Sequence, residues 1–519
     1  MLGRLFSRAG AQGTSNTALE LAAQAGTDSL VPAPSVPIPD RLALRAWLAQ
    51  DGFPAYFLDE LCAQPRRQEA AGWLAAGAQL QEAEALLRQL LAEDPASAID
   101  QSLLAEVLGR RGEFAQSAQL LQAVLADRGR LGARAAAMLA EQAFFRGDFD
   151  TARELVERAA ALVPDAMNCQ ILLGCVRELG HVDTPPQHAR ALEHFRRAVA
   201  LRPVTPLARV YLATALMRQE ALQEGLTHWV IAECLGGTYV NRAICPVWDG
   251  RPLGDARLLI LTHSGYGDVI QFLRFAHHLR ASQPRARLSL LIRAPLARLA
   301  RATGLFESVF TNGPEGAGFD WQVSQTHLPL LLGVEMPQLR AFEPYLQVDA
   351  ARLQAAQRWL PPHAAGRLRV GLRWAGHPGP FDAKRSMPLA ALRPLFEVDG
   401  VDWISLAEEP DAGAQQLGIA DVSAQLGDFY ATAALMRQLD LVIAVDTSVA
   451  HLAGALALPT WLIARPDPDW RWGLEGEATP WYGSVRVFRH PPGTGVNWAA
   501  IARDLAAALR EWVAKGGGR

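Results

Sequence analysis

Four stretches in the second half of the chain bring together residue types that can do chemistry. The first is Thr262-His263-Ser264-Gly265-Tyr266-Gly267-Asp268, directly after an apolar run at 256–261 and at the start of a helical pattern. Glycines such as Gly265 and Gly267 in a strand-to-helix turn let a ligand approach the backbone, and a helix N-terminus favours negative charge. Asp268 falls in the first helical turn, where it is either a capping residue or a general base. The full G-x-G-x-x-G dinucleotide pattern is missing, which argues against a nicotinamide cofactor.

The second stretch is Asp446-Thr447-Ser448, between an apolar strand and a helix that starts at once. Its hydroxyls either cap the helix or join the exposed N–H groups in cradling a diphosphate. His451, one turn further in, is either a satisfied core histidine or a ligand contact. The third is the loop at 375–386, with glycines and, at its end, the adjacent cations Lys384 and Arg385. Facing a cleft, that pair would neutralise a departing diphosphate; otherwise it is a solvated loop. The fourth, Asp469-Trp470-Arg471-Trp472 with Trp481-Tyr482 nearby, is either a packed lid or a stacking surface.

The elements that must position these residues follow from the hydrophobic pattern. Apolar runs at 256–261, 287–292 and 319–323 alternate with a helical pattern at 269–279. After a polar stretch at 349–367, a helix and linker, come strands at 368–374, 401–406, 439–445 and 460–463. Such alternation predicts parallel sheets covered on both faces. Two comparable halves predict a cleft, with chemistry in the loops at the carboxyl ends of the strands.

Residues 42–240 read as helices only. Inner turns recur at Arg-Gly-Glu-Phe (111–114) and Arg-Gly-Asp-Phe (146–149), 35 positions apart, and units end near Pro95, Pro164 and Pro203. A helix–turn–helix of about 34 residues, with Gly at the inner turn and Pro after the second helix, is the tetratricopeptide pattern. The array is either a concave surface for a protein or peptide, or a spacer. Residues 1–41, rich in Ala, Gly, Ser, Thr and Pro, predict a flexible tail.

The composition excludes several classes. A net charge of −3 with arginines scattered among carboxylates gives no nucleic-acid footprint. Five cysteines without a C-x-x-C pair predict free thiols in a reducing compartment rather than disulfides or zinc. No secretory signal or uncharged apolar run of about 20 residues stands out, so the expectation is a cytoplasmic protein without a membrane span.

The four stretches in this order resemble the tetratricopeptide-linked glycosyltransferases, relatives of the heptosyltransferase-like enzymes of glycosyltransferase family 9. The resemblance rests on Gly265-Tyr266-Gly267-Asp268-Val269-Ile270-Gln271-Phe272, Val370-Gly371-Leu372-Arg373-Trp374-Ala375-Gly376, Arg385-Ser386-Met387-Pro388-Leu389, Asp446-Thr447-Ser448-Val449-Ala450-His451-Leu452 and Asp469-Trp470-Arg471-Trp472, across residues 245–512. It implies an N-terminal repeat solenoid followed by a two-lobed GT-B domain of twin Rossmann-like lobes, an acceptor lobe at 241–348 and a nucleotide-sugar lobe at 349–519. It implies an inverting, metal-independent transfer with no cofactor beyond the nucleotide-sugar co-substrate. Asp268 matches the base, Lys384 or Arg385 the donor-phosphate cation, and Asp446, Thr447 and Ser448 the donor-binding turn, with His451 assigned to the donor site beside them. The last helix, 498–512, matches a segment that crosses back to the first lobe. The expected acceptor is a hydroxyl on a protein brought by the repeats. The alternatives are a polysaccharide or lipid-core acceptor, or a non-catalytic scaffold.

Overall fold

The computed structural model describes residue 44 and residues 61–76, 79–127, 129–179, 186–236, 245–314, 318–341, 343–362, 366–377, 382–491 and 494–517. The expected tail at 1–41 and loop residues 378–381 lie outside the described residues. The chain divides into two compact units, residues 1–212 and 213–519.

The first unit is built of helical hairpins: α1 (Pro65–Ala76) with α2 (Leu80–Glu93), α3 (Ala98–Arg111) with α4 (Phe114–Val124), α5 (Arg130–Arg146) with α6 (Phe149–Leu162), and α7 (Met167–Leu179) with α8 (His188–Leu201). The inner-turn glycines act as expected from sequence. Gly112 and Gly147 end α3 and α5 with φ of 87° and 82°, a left-handed conformation that costs an L side chain about 1–2 kcal/mol. Asp148 then caps α6 by accepting the Thr151 N–H, a bond worth about 1 kcal/mol. Phe144 and Phe149 pack across the turn at 5.4 Å. Adjacent hairpins are tied by a buried bidentate pair between Arg67 and Asp100, at 2.6 Å on both arms.

Helix α9 (Pro206–Arg218) spans the division at 212, and α10 (Leu222–Gly236) belongs wholly to the second unit. The compact unit therefore begins earlier than the expected boundary at 240. The reason is packing: Leu222 and Leu226 share an apolar core with Trp248 and Leu253, just before β1, and with Leu258 of the first sheet. Gly225 fits α10 against the end of α9, where a Cβ would stand 2.5 Å from Met217.

The second unit carries two parallel sheets, all of whose strand pairs are parallel. The first holds β1 (Arg257–Leu261), β2 (Arg287–Leu291), β3 (Ser308–Phe310) and β4 (Trp321–Ser324) in the order β3-β2-β1-β4. The second holds β5 (Leu368–Arg373), β6 (Val401–Ser405), β7 (Leu441–Val445), β8 (Thr460–Ile463) and β9 (Val485–Phe488) in the order β6-β5-β7-β8-β9. This is the twin parallel α/β architecture expected from sequence. The short, half-buried β3 and the late β9 were not anticipated.

Helix α11 (Tyr266–Phe272) follows β1, and α12 (Arg274–Ser282) follows it with no loop between. In the second lobe α13 (Phe429–Met436) precedes β7 and α14 (Ser448–Ala455) follows it. The final helix, α15 (Trp498–Ala514), does not cross back to the first lobe. Ile501, Leu505 and Leu509 bury into the core formed by Val370, Leu372, Ile443 and Ile463 of the second sheet, which corrects the expectation. Among the described residues no helix is long and apolar enough to cross a membrane.

Candidate functional site

The strand orders fix where a ligand should sit. From β1 the chain runs outward to β2 and β3 and returns on the other side as β4, so the first sheet switches direction between β1 and β4. The second switches between β5 and β7. Crevices outside the carboxyl ends of strands at such points are the ordinary ligand sites of parallel sheets. The loop with Asp268 leaves β1, the loop with Lys384 and Arg385 leaves β5, and Asp446-Thr447-Ser448 leaves β7. Three of the four stretches singled out in the sequence thus stand at switch points.

The two lobes meet at these loops. Helix α11 packs against α14, and Gly267 lies at a close approach: a Cβ there would lie 2.6 Å from the His451 ring. Gly267 therefore serves lobe packing. Gly265 is the N-cap of α11, and its N–H donates to Asp268 Oδ2 at 3.0 Å. The other Asp268 oxygen accepts from Arg471 of the second lobe. Asp268 is thus both the capping residue and a partly exposed carboxylate, its side chain 31% accessible.

Arg471 is the hub of the contact. It binds Asp268, the Oε1 of Gln271 and, at 2.8 Å, Asp469, and lies 4.3 Å over the Trp470 ring. Burial opposes its charge, but Asp469 and Asp268 push its guanidinium further up, so it stays cationic. Asp469 is likewise opposed by burial, yet Arg471 and Arg465 hold its carboxyl down. Burial, and then the nearby Asp469, raise Asp446.

His451 does not open to a ligand as its assignment to the donor site required. It is buried, its Nδ1 pairs with Tyr482 Oη at 2.9 Å, and its ring lies 5.0 Å from Trp472. Burial, with the Arg471 charge behind it, lowers its pKa to about 3. Of its two expected roles, the structure gives it that of a satisfied core histidine. Thr447 is the N-cap of α14 but makes no side-chain cap; its hydroxyl turns back to Val445 O at 3.2 Å. Thr447 and Ser448 therefore front a helix start that no hydroxyl closes. The aromatic stretch is the packed lid of the two expected forms, with Trp470, Trp472, Trp481 and Tyr482 all buried.

The cation pair is corrected in part. Residues 382–385 form one helical turn, and it carries Lys384 inward. Lys384 is fully buried, its Nζ 2.6 Å from Asp467, so it does not stand open in the loop. Burial opposes Asp467, but Lys384 and Arg465 hold its carboxyl low. Arg385 packs over Gly376, where a Cβ would fall 2.4 Å from the guanidinium, and donates to His377 O at 2.7 Å. Arg373, the last residue of β5, is a further cation here, marked in the sequence only as part of a motif and given no role. It stands near Glu408 and Arg385, and among the described residues its side chain has no hydrogen bond or ion pair.

A second cluster went unforeseen. Glu233, on α10, lies 3.4 Å from His263 Nε2 and 3.2 Å from His327 Nε2, and accepts from Thr326 Oγ1 at 2.6 Å. Burial would raise its carboxyl, but the hydrogen bonds to His263 and His327 bring it to about 2. The cluster covers the carboxyl ends of β1 and β4. Glu233 sits on a helix that reads in sequence as one more repeat, and no local signal marks it.

No family model matches the chain. Among curated proteins it is similar to Protein FlbA of Caulobacter vibrioides, 29% identical over 300 residues, which cover 51% of this chain and 48% of that protein. The chain thus spans about half the length of the curated relative it matches. Among solved structures it is similar to a glycosyl transferase family 9 protein from Veillonella parvula (13% identity, 51% of this chain and 98% of that one, TM-score 0.40). It is also similar to MamA from Desulfovibrio magneticus RS-1 (17% identity, 33% and 92%, TM-score 0.26).

Proposed function

We propose that the second unit is a glycosyltransferase that moves a sugar from a nucleotide-sugar to an acceptor hydroxyl. One observation carries the reading: the helix that bears a partly exposed carboxylate at the switch point of one parallel sheet packs against the helix that starts uncapped at the switch point of the other. The order of motifs, which resembles the tetratricopeptide-linked glycosyltransferases, supports the same reading.

In this account the donor diphosphate lies at the start of α14, by Thr447, Ser448 and the N–H groups behind them, with Asp446 beside it. Arg385 and Arg373 offset the charge that builds on the leaving group, so that no metal is called for. Lys384 contributes only if Asp467 releases it. Asp268 takes the proton from the acceptor hydroxyl, whose oxygen attacks the anomeric carbon as the bond to the diphosphate breaks. A single displacement of this kind inverts the anomeric centre. The acceptor is a protein or peptide recruited by the helical hairpins, whose stacking offers an extended surface.

The test is transfer by the Asp268→Asn variant. Loss of a general base is expected to slow transfer by about 10²–10⁴-fold with donor binding retained; an unchanged rate contradicts the assignment. The sequestered Lys384 favours a second reading, a non-catalytic scaffold, under which neither protein transfers sugar.

A further inference from the structure

Resting on the transferase reading, we propose that Arg471 is a positioning residue for Asp268: a guanidinium from the second lobe aims the carboxylate of the first. The orientation of the proposed base then depends on the two lobes being seated together.

The geometry separates aiming from mere pairing. Asp268 is held at both oxygens, by the Gly265 N–H and by Arg471. A carboxylate offers about four lone-pair sites, so two stay open to a substrate hydroxyl. Arg471 is 7% accessible and Asp268 31%, so the guanidinium reaches the carboxylate from its buried side and leaves the outer edge free. Without Arg471 only the capping bond would restrain the side chain.

Arg471 is itself fixed from several directions. Its backbone N–H and Nη1 both donate to Asp469 Oδ1, at 3.1 and 2.8 Å. Its Nε meets Gln271, the Trp470 ring lies beneath it, and its carbonyl accepts from Thr479 Oγ1 at 2.7 Å. Asp469 already offsets the guanidinium charge within its own lobe, so the reach to Asp268 is not needed to neutralise a buried cation. A planar fork serving three acceptors at fixed angles is a task lysine cannot reproduce.

The experiment uses the full chain with Arg471→Lys, Arg471→Met, Asp268→Asn and the Asp268→Asn/Arg471→Met double variant. The probes are UDP-glucose, GDP-mannose, dTDP-rhamnose and ADP-heptose. The readouts are melting shift, release of nucleoside diphosphate, and hydrogen exchange at the Gly265 amide. With a donor that shifts the parent, Arg471→Lys is expected to keep the shift and KM within about 3-fold while kcat falls about 10–100-fold. Arg471→Met added to Asp268→Asn is expected to change the residual rate by less than about 2-fold, since one residue acts through the other. Parent-like turnover in both Arg471 variants, or a full further loss in the double variant, overturns the proposal.

If no donor shifts or turns over, the transferase reading fails and exchange decides the positioning. Gly265 is expected to exchange faster in Arg471→Met, as in Asp268→Asn, and unchanged exchange refutes it. Should Arg471→Met fail to fold, the lysine variant supplies the same comparisons.

Discussion

At the scale of single residues, the site is a compromise between chemistry and close packing. Gly267 leaves no room for a methyl group, because the His451 ring fills the space. Gly267→Ala is expected to cost about 1–3 kcal/mol through overpacking, read as a lower denaturation midpoint at unchanged slope; an unshifted midpoint contradicts the contact. His451 gives a pH dependence with a definite sign. Its pKa falls from 6.5 to about 3 in the fold, so below pH 6.5 the unfolded chain binds a proton that the folded chain refuses. Stability is therefore lost as pH falls from 6.5 towards 3, at up to ~1.4 kcal/mol per pH unit from this group. Chemical denaturation at pH 7 and pH 5 is expected to show a smaller acid loss in His451→Gln than in the parent. Equal losses would mean that His451 takes up its proton in the folded protein. The sequence placed Asp268 and the Asp446-Thr447-Ser448 turn correctly at strand ends, because strand-to-helix turns are local features. It could not distinguish Lys384 from Arg385: which of two adjacent cations is buried depends on Asp467, eighty-three residues away.

At the scale of elements, hydrophobic period sufficed for the long helices and the central strands, where burial is continuous along the segment. It failed for β3 and β9, three- and four-residue strands at sheet edges. It also failed for α10, whose pattern matches the repeats while its packing partners belong to the first sheet. Glu233 is the polar tie of that helix to the carboxyl ends of β1 and β4. Glu233→Gln keeps the shape but removes the charge that meets two histidines, and is expected to cost about 1–3 kcal/mol at neutral pH. Because the folded carboxyl sits at about 2 against an ordinary 4.5, this stabilisation is present above pH 4.5 and fades as pH falls towards 2. Urea titrations of parent and variant at pH 7 and pH 3.5 check it. A variant as stable as the parent at pH 7 would show that the Glu233 charge does not help to hold α10.

At the scale of the whole molecule, one of the two apolar cores of the second unit runs through both lobes, joining Val269, Ile270 and Phe272 to Leu452, Trp470 and Trp481, while the other lies under α15. Arg274 adds a bond from the first lobe to Trp481 O at 3.1 Å, and Tyr345 N–H one to Ala455 O at 3.2 Å. Two alternating halves in the sequence foretold two lobes, but not how much surface they share, since that depends on residues far apart in the chain. The most direct measurement is the melting temperature of the protein with EDTA present, against UDP-, GDP-, dTDP- and ADP-sugars and the free nucleotides. A ligand that binds only the folded state at 100 times its Kd adds about 2.7 kcal/mol, a rise of roughly 5 °C for a unit of this size. One nucleotide class is expected to give that shift, lost on reversing the charge at Arg385 and Arg373. No shift with any donor or nucleotide would contradict the transferase account and leave the second unit a scaffold.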